Sequence, residues 1–348
     1  MDLPTDLPTD LPTDLAAALD AATADLPLRE LEASVERLIA RYRAPGRADR
    51  PILGGHVDAA AYAAYRMPAT WGAVRAALAA VAERVPGLAP RSLIDVGGGT
   101  GAAAWAAAEV FGESLKDVTV LDQVPEALEL GRRLARDAFS GALRHAEWRQ
   151  VRFPAEVPGA DLVTVSYVLS ELAPDAQEAL VRASAAGAET IAVIEPGTPD
   201  GYQRIIAARD VLIDMGLHLA APCPHSDACP LLGTRDWCHF ASRIHRTPLH
   251  RRLKSADLQH EDEKFAYVVA TRTPVAASAP APAPAPAPAT ASRILRHPQI
   301  RKGLVMMQLC HADGTVAQAL VSKRQGDTYR AARDADWGDQ WPPAQGEG

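Results

Sequence analysis

The chain of 348 residues is poor in cysteine, with four in all. It has no apolar run near the roughly 18 residues that cross a bilayer. It is not basic overall, with 36 Lys and Arg against 43 Asp and Glu and a formal net charge of −7. Its N-terminus is acidic and proline-spaced, without the basic flank and apolar stretch of a secretory signal. These lacks set the expectation of a cytoplasmic protein with no membrane partner and no DNA partner. Four cysteines in that setting are expected as free thiols or metal ligands, not disulfides. With 48% hydrophobic residues, the length suffices for two domains or for one domain with extensions.

The stretch that organises the rest is Leu93-Ile94-Asp95-Val96-Gly97-Gly98-Gly99-Thr100-Gly101, followed by the alanine-rich segment Ala102 to Val110. It reads as strand, tight turn, helix. Glycines 97, 99 and 101 let a ligand approach the backbone, because no Cβ stands in the way. The helix N-terminus behind them offers free N–H groups. A second strand, Val118-Thr119-Val120-Leu121, ends at Asp122, 21 residues after Gly101, where a doubly wound fold holds ribose hydroxyls. Expected strands at 92–96, 118–121, 146–151, 161–166 and 190–195 alternate with helices at 101–110, 125–138, 174–186 and 201–215, which predicts a parallel sheet covered on both faces. Ser166, Tyr167 and Ser170 then fall at the carboxyl end of the fourth strand, near a pocket. Glu195 ends the fifth, either orienting a substrate or simply solvated.

Around this core, residues 1–14 repeat Asp-Leu-Pro-Thr and read as a disordered tail. Residues 15–90 form a helical region, with helical spacing over 15–44 and again from Ala59 to Val85, interrupted at Met67-Pro68. Tyr62 and Tyr65 share a helix face there, as core packing or as a ligand surface. The α/β domain spans 91–273, interrupted by an irregular loop at 220–240 and closed by a strand near Phe265–Thr271. A Pro-Ala linker covers 274–292. Beyond it, 293–348 holds a β-hairpin turning at Asp313-Gly314 and an aromatic, basic tail. Charge is uneven. Basic residues gather between Arg235 and Lys254, and again at Arg293, Arg296, Arg301, Lys302, Lys323, Arg324, Arg330 and Arg333. That distribution allows phosphate contact or an ordinary solvated face.

Three of the four cysteines, Cys223, Cys229 and Cys238, share the irregular loop with the spacing C-x5-C-x8-C, and Cys310 lies on the hairpin. Four thiolates fit an iron–sulfur cluster or zinc, with His225 and His239 as alternative zinc ligands. The alternative is incidental thiols. Pro222-Cys223 as a methyltransferase nucleophile sits in the wrong place, since it follows a helix instead of ending a core strand.

The aspartate opening Asp95-Val96-Gly97 and the run G-x-G-x-G resemble an S-adenosylmethionine methyltransferase fingerprint. A wider set of segments adds to it, the cysteine blocks being the most specific: Tyr65-Arg66-Met67-Pro68-Ala69-Thr70, Cys223-Pro224-His225, Cys229-Pro230, Trp237-Cys238-His239-Phe240, Glu261-Asp262-Glu263-Lys264-Phe265-Ala266-Tyr267-Val268, Tyr329-Arg330-Ala331-Ala332-Arg333 and Trp337-Gly338-Asp339. Together these resemble the methyltransferase-like proteins associated with the small ribosomal subunit in bacteria and mitochondria, over roughly residues 55–345. The resemblance implies a Rossmann-like α/β methyltransferase fold. S-adenosylmethionine would bind at Asp95, Gly97, Gly99, Gly101, Asp122 and Ser166. A [4Fe–4S] cluster would sit on Cys223, Cys229, Cys238 and Cys310, and the partners would be the small subunit and its rRNA. No catalytic residue follows, because the place where amino methylases carry an Asp/Asn-Pro-Pro-Tyr-like motif reads Ser166-Tyr167-Val168-Leu169-Ser170. A small-molecule methyltransferase with a structural metal loop, and a non-enzymatic RNA-binding factor, are the competing functions.

Overall fold

The computed structural model describes residues 9–43, 55–85, 87–153, 155–254, 256–274 and 291–343. The first repeats of the N-terminus and most of the Pro-Ala tract lie outside the described residues. Three helices come first: α1 (Thr13–Thr23), α2 (Leu28–Arg43) and α3 (His56–Arg84). The α/β core follows as β1 (Ser92–Val96), α4 (Ala102–Phe111), β2 (Asp117–Asp122), α5 (Pro125–Leu134), α6 (Gly141–Arg144), β3 (Glu147–Gln150), β4 (Ala160–Ser166), α7 (Pro174–Ala186), β5 (Ala188–Pro196) and α8 (Pro199–Asp214). Next are β6 (His218–Ala221), β7 (Phe240–His245), α9 (Pro248–Leu253) and β8 (His260–Thr271). Past the linker stand β9 (Ser292–Ile294), β10 (Gln299–Arg301), β11 (Leu304–Cys310), β12 (Val316–Ser322), α10 (Asp327–Asp334) and β13 (Gln340–Trp341).

The large sheet runs β3-β2-β1-β4-β5-β8-β6, with β7 also pairing on β8. Strands β1 to β5 pair in parallel, and β8 lies antiparallel to β5, β6 and β7. Its central strands are apolar on consecutive residues because both faces are covered. Leu93, Val120, Leu162 and Ile194 turn to the side of α3 and α4, while Ile94, Leu121, Val163 and Val193 turn to the side of α7 and α8. This is the Rossmann-like doubly wound architecture expected from the alternation.

Three readings need correction, and the helical one over 15–44 gains a boundary. The helix expected to break at Met67-Pro68 is continuous through Pro68. Met67 is 1% exposed and Pro68 is buried with its neighbours, so packing offsets the roughly 3 kcal/mol that an interior proline costs. The tail expected to be disordered through residue 14 is ordered from Thr9: Thr9 bridges Ile244, Leu11 is buried, and α1 begins at Thr13. The helical spacing over 15–44 belongs to two helices, separated at Asp25-Leu26-Pro27, where proline ends the first pattern. The C-terminal part is more than a hairpin. It is a five-stranded antiparallel sheet, β10-β11-β9-β13 with β12 on β11, closed over its own core of Ile294, Val305, Met307, Leu309, Val321 and Ala332.

Candidate functional site

The glycine loop opens a pocket at the carboxyl ends of β1, β2 and β4, with about 1040 Å³ of space between atoms, the solvent at its mouth included. Gly97, Gly99, Asp122 and Ser166 line it, with Tyr62, Thr70, Phe153 and Glu171. Asp95 and Gly101, the other two expected contacts, stand behind the lining. Gly101 has φ +87° and a Cβ there would meet Trp148 Cη2 at 2.6 Å, so this glycine brings α4 onto the sheet. Asp122 braces the loop as well as facing the pocket. Its Oδ2 accepts from the Gly99 N–H and its Oδ1 from the Val124 N–H, both at 2.8 Å. Each carboxylate oxygen keeps a second lone pair for a ligand hydroxyl. Tyr62 was recognisable from its helical spacing with Tyr65. Phe153 and Glu171 carried no sequence signal.

Asp95 is 0% exposed. Its Oδ1 accepts from Thr164 Oγ1 at 2.8 Å and its Oδ2 has no partner. Burial, only partly offset by the Thr164 bond, pushes its carboxyl up to about 7. The raised value means that the folded state binds this proton more tightly than the unfolded chain does. Its contribution to stability is therefore present at acid pH and is lost as pH rises from about 4 to about 7. We expect the urea midpoint to fall over that window, by an Asp95 share of at most roughly 4 kcal/mol. Asp95→Asn should flatten the profile. A profile equally steep in wild type and variant would assign the effect elsewhere.

On the far wall, Tyr167 has φ +60° and donates its hydroxyl to Glu263 Oε1 at 2.9 Å. Glu263 also receives a bidentate pair from Arg66, at 2.8 and 3.1 Å, and the Arg66 guanidinium lies 4.8 Å over the Tyr167 ring. The Tyr-Arg-Met-Pro and Glu-Asp-Glu-Lys segments, far apart in sequence, thus meet at the pocket wall. Glu195 is neither solvated nor aimed at a substrate. It is 0% exposed, accepts from the Leu169 N–H at 3.0 Å, and pairs with Arg204 at 2.7 Å.

A second cavity, with about 540 Å³ of space between atoms, is lined by Cys223, Cys229, Cys238 and Cys310. The fold brings together all four cysteines singled out in the sequence. No carboxylate lines it, but two arginines do, Arg209 at 2% and Arg293 at 5% exposure. Arg209 donates to the His225 and Asp227 carbonyls while its Nε has no partner. Burial first, then Cys223, Cys229 and Cys310, raise the Cys238 thiol well above its ordinary value. Burial and the neighbouring thiols likewise bring Cys310 to about 12. Among the described residues, no three His, Cys, Asp or Glu side chains are gathered closely enough to hold one metal ion. The donor set and its cationic wall suit an anionic, thiolate-ligated group larger than one ion.

The sequence profile of the family described as mitochondrial small ribosomal subunit Rsm22 matches residues 56–342. The ribosome assembly protein METTL17, mitochondrial, of Homo sapiens is 28% identical over 298 residues, covering 81% of this chain. An Rsm22-cox11 tandem protein of Schizosaccharomyces pombe, also named mitochondrial, is 27% identical over 186 residues, or 44% of this chain. The chain spans 62% of the human relative and 24% of the yeast one. Among solved structures, magnesium protoporphyrin IX methyltransferase from Synechocystis, with bound S-adenosylmethionine, aligns at TM-score 0.40 and 12% identity, over 75% of this chain and 98% of that one. The cytoplasmic expectation is overturned, because the family and both relatives are named mitochondrial. Among the described residues no helix is long and apolar enough to cross a membrane.

Proposed function

The chain belongs to the mitochondrial small ribosomal subunit Rsm22 family, and on that premise we propose that it is a methyltransferase-like factor in assembly of the small ribosomal subunit, bound to its rRNA. In this reading the glycine-loop pocket holds S-adenosylmethionine. Cys223, Cys229, Cys238 and Cys310 hold a [4Fe–4S] cluster, which supplies a compact anionic cross-link between the loop and the C-terminal sheet. The single observation that carries the reading is the convergence of four thiols from two separate chain segments on one carboxylate-free cavity. Buried Arg209 and Arg293 offset the negative charge of a thiolate cluster, and the unpartnered Arg209 Nε leaves a donor for it.

One observation favours cofactor binding without methyl transfer. A transferase for a nucleobase nitrogen needs a group that orients or deprotonates the acceptor. Tyr167, in the stretch that stands where such a motif would lie, has its hydroxyl committed to Glu263.

The test is anaerobic purification with iron, sulfide and zinc analysis, alongside co-sedimentation with immature small subunits. About four irons and four sulfides per chain, with a broad visible band, are expected. One zinc without sulfide would overturn the cluster. Failure to co-sediment, with methyl transfer to a small metabolite, would overturn the assembly role.

A further inference from the structure

Eight basic residues follow the linker, and the fold uses several of them internally. Arg293 is buried and donates to the carbonyls of Pro222 and Gly338. Arg296 is bound by Asp236 and the Trp237 carbonyl, and Arg330 by Asp327. Four others collect at one end of the C-terminal sheet. Arg301 and Lys302 sit at the β10–β11 turn, and Lys323 and Arg324 follow β12. The Lys323 N–H donates to the Gly303 carbonyl at 2.9 Å, which ties the two turns together. All four are exposed. Among the described residues none has an acidic partner at salt-bridge distance.

The register extends this tip into a face. Arg301 pairs across Leu304 with Ser322, and Gln299 across Met306 with Leu320. Gln308 pairs with Gln318, and the same face ends at Cys310. Side chains at alternate positions share one side of a strand, so a strip runs from the basic tip to the four-cysteine cavity. It contains no carboxylate. Leu320 lies on it at 57% exposure.

We propose that this strip is where the phosphodiester backbone of the small-subunit rRNA docks. The inference rests on the assembly reading above and names the surface that serves it. A chain with net charge −7 repels a polyanion on average, so attraction requires a local excess of cations. Four unpaired cations on two adjoining turns supply it. The three glutamines offer donors and acceptors to sugars and base edges, and Leu320 offers an apolar surface to a base. Because Cys310 terminates the same strand, whatever holds the cysteines together also fixes the orientation of the strip.

The test compares full-length R301Q/K302Q/K323Q/R324Q with wild type and with a control, R29Q/K116Q/R133Q/R136Q, that removes four exposed cations elsewhere. Fluorescence anisotropy is read on a labelled small-subunit rRNA hairpin of about 30 nucleotides, between about 50 and 200 mM salt. The tip variant is expected to bind at least about tenfold more weakly, with a slope of log K against log salt shallower by roughly three. The control should stay within about twofold, and both variants should keep the wild-type melting temperature. Equal loss in both variants, or no loss in the tip variant, overturns the proposal. Wild type that co-sediments with immature subunits while the tip variant keeps its RNA affinity places the RNA on another face, and the assembly reading stands. Wild type that binds neither RNA nor subunits removes both. A tip variant that loses the subunit but not the hairpin makes the occupant an acidic protein surface, and also overturns the RNA assignment.

Discussion

Cys238→Ser is expected to abolish iron and sulfide retention and to release the C-terminal sheet from the α/β core. Cys238 sits in the segment that joins the two. Its neighbour Trp237 donates its indole N–H to the Gly197 carbonyl at 3.0 Å and stacks on His239 at 5.0 Å. His239 meets the edge of Trp337, from beyond the linker, also at 5.0 Å. Without a cross-link, burial first and the neighbouring thiols second hold Cys238 and Cys310 in the neutral form. A serine hydroxyl is a poor ligand for iron and leaves the remaining thiolates one short. The readout is limited proteolysis in the Pro-Ala tract followed by sizing. Wild-type fragments should co-elute, and those of the variant should separate. A variant with full iron content and associated fragments would remove Cys238 from the ligand set.

Much of the core was legible because its signals are local. The continuous apolar strands, the glycine loop and the alternation of strands with helical segments each occupy a short window. The rest depended on contacts that no window contains. The place of β8 between β5 and β6 follows from pairing across the sheet, not from its own residues. Glu195 was weighed as substrate-facing or solvated, yet Arg204, one helix turn into α8, fixes it as a clamp on Leu169. Trp337 and Trp341 suggested no structure by pattern. Trp341 is nonetheless buried in β13, and Trp337 packs on His239 and Phe240. The cysteine spacing exceeded that of a zinc knuckle because the loop spans the gap between the end of β6 and the start of β7, not a single tight turn.

Gly99→Ala is expected to cost the pocket its cofactor while leaving the fold nearly intact, and Gly98→Ala to cost the fold more. The two neighbours differ in what a Cβ would meet. At Gly98 it would reach Asp95 Cγ at 2.6 Å and Val120 Cγ1 at 2.7 Å. Both are fully buried side chains, so overpacking of roughly 1–3 kcal/mol is expected, read as a lower urea midpoint. At Gly99 the nearest atom is Asp122 Oδ2, at 3.8 Å, and the cost is that of φ +54° alone, roughly 1–2 kcal/mol. That Cβ would occupy the pocket lining, where a nucleotide must approach the backbone. Calorimetry with S-adenosylmethionine and its demethylated product should show affinity reduced at least about thirtyfold for Gly99→Ala, roughly 2 kcal/mol. If Gly99→Ala bound both as wild type does, the loop would be a packing device between strand and helix. The assembly role would then rest on the cysteine cavity and the C-terminal sheet alone.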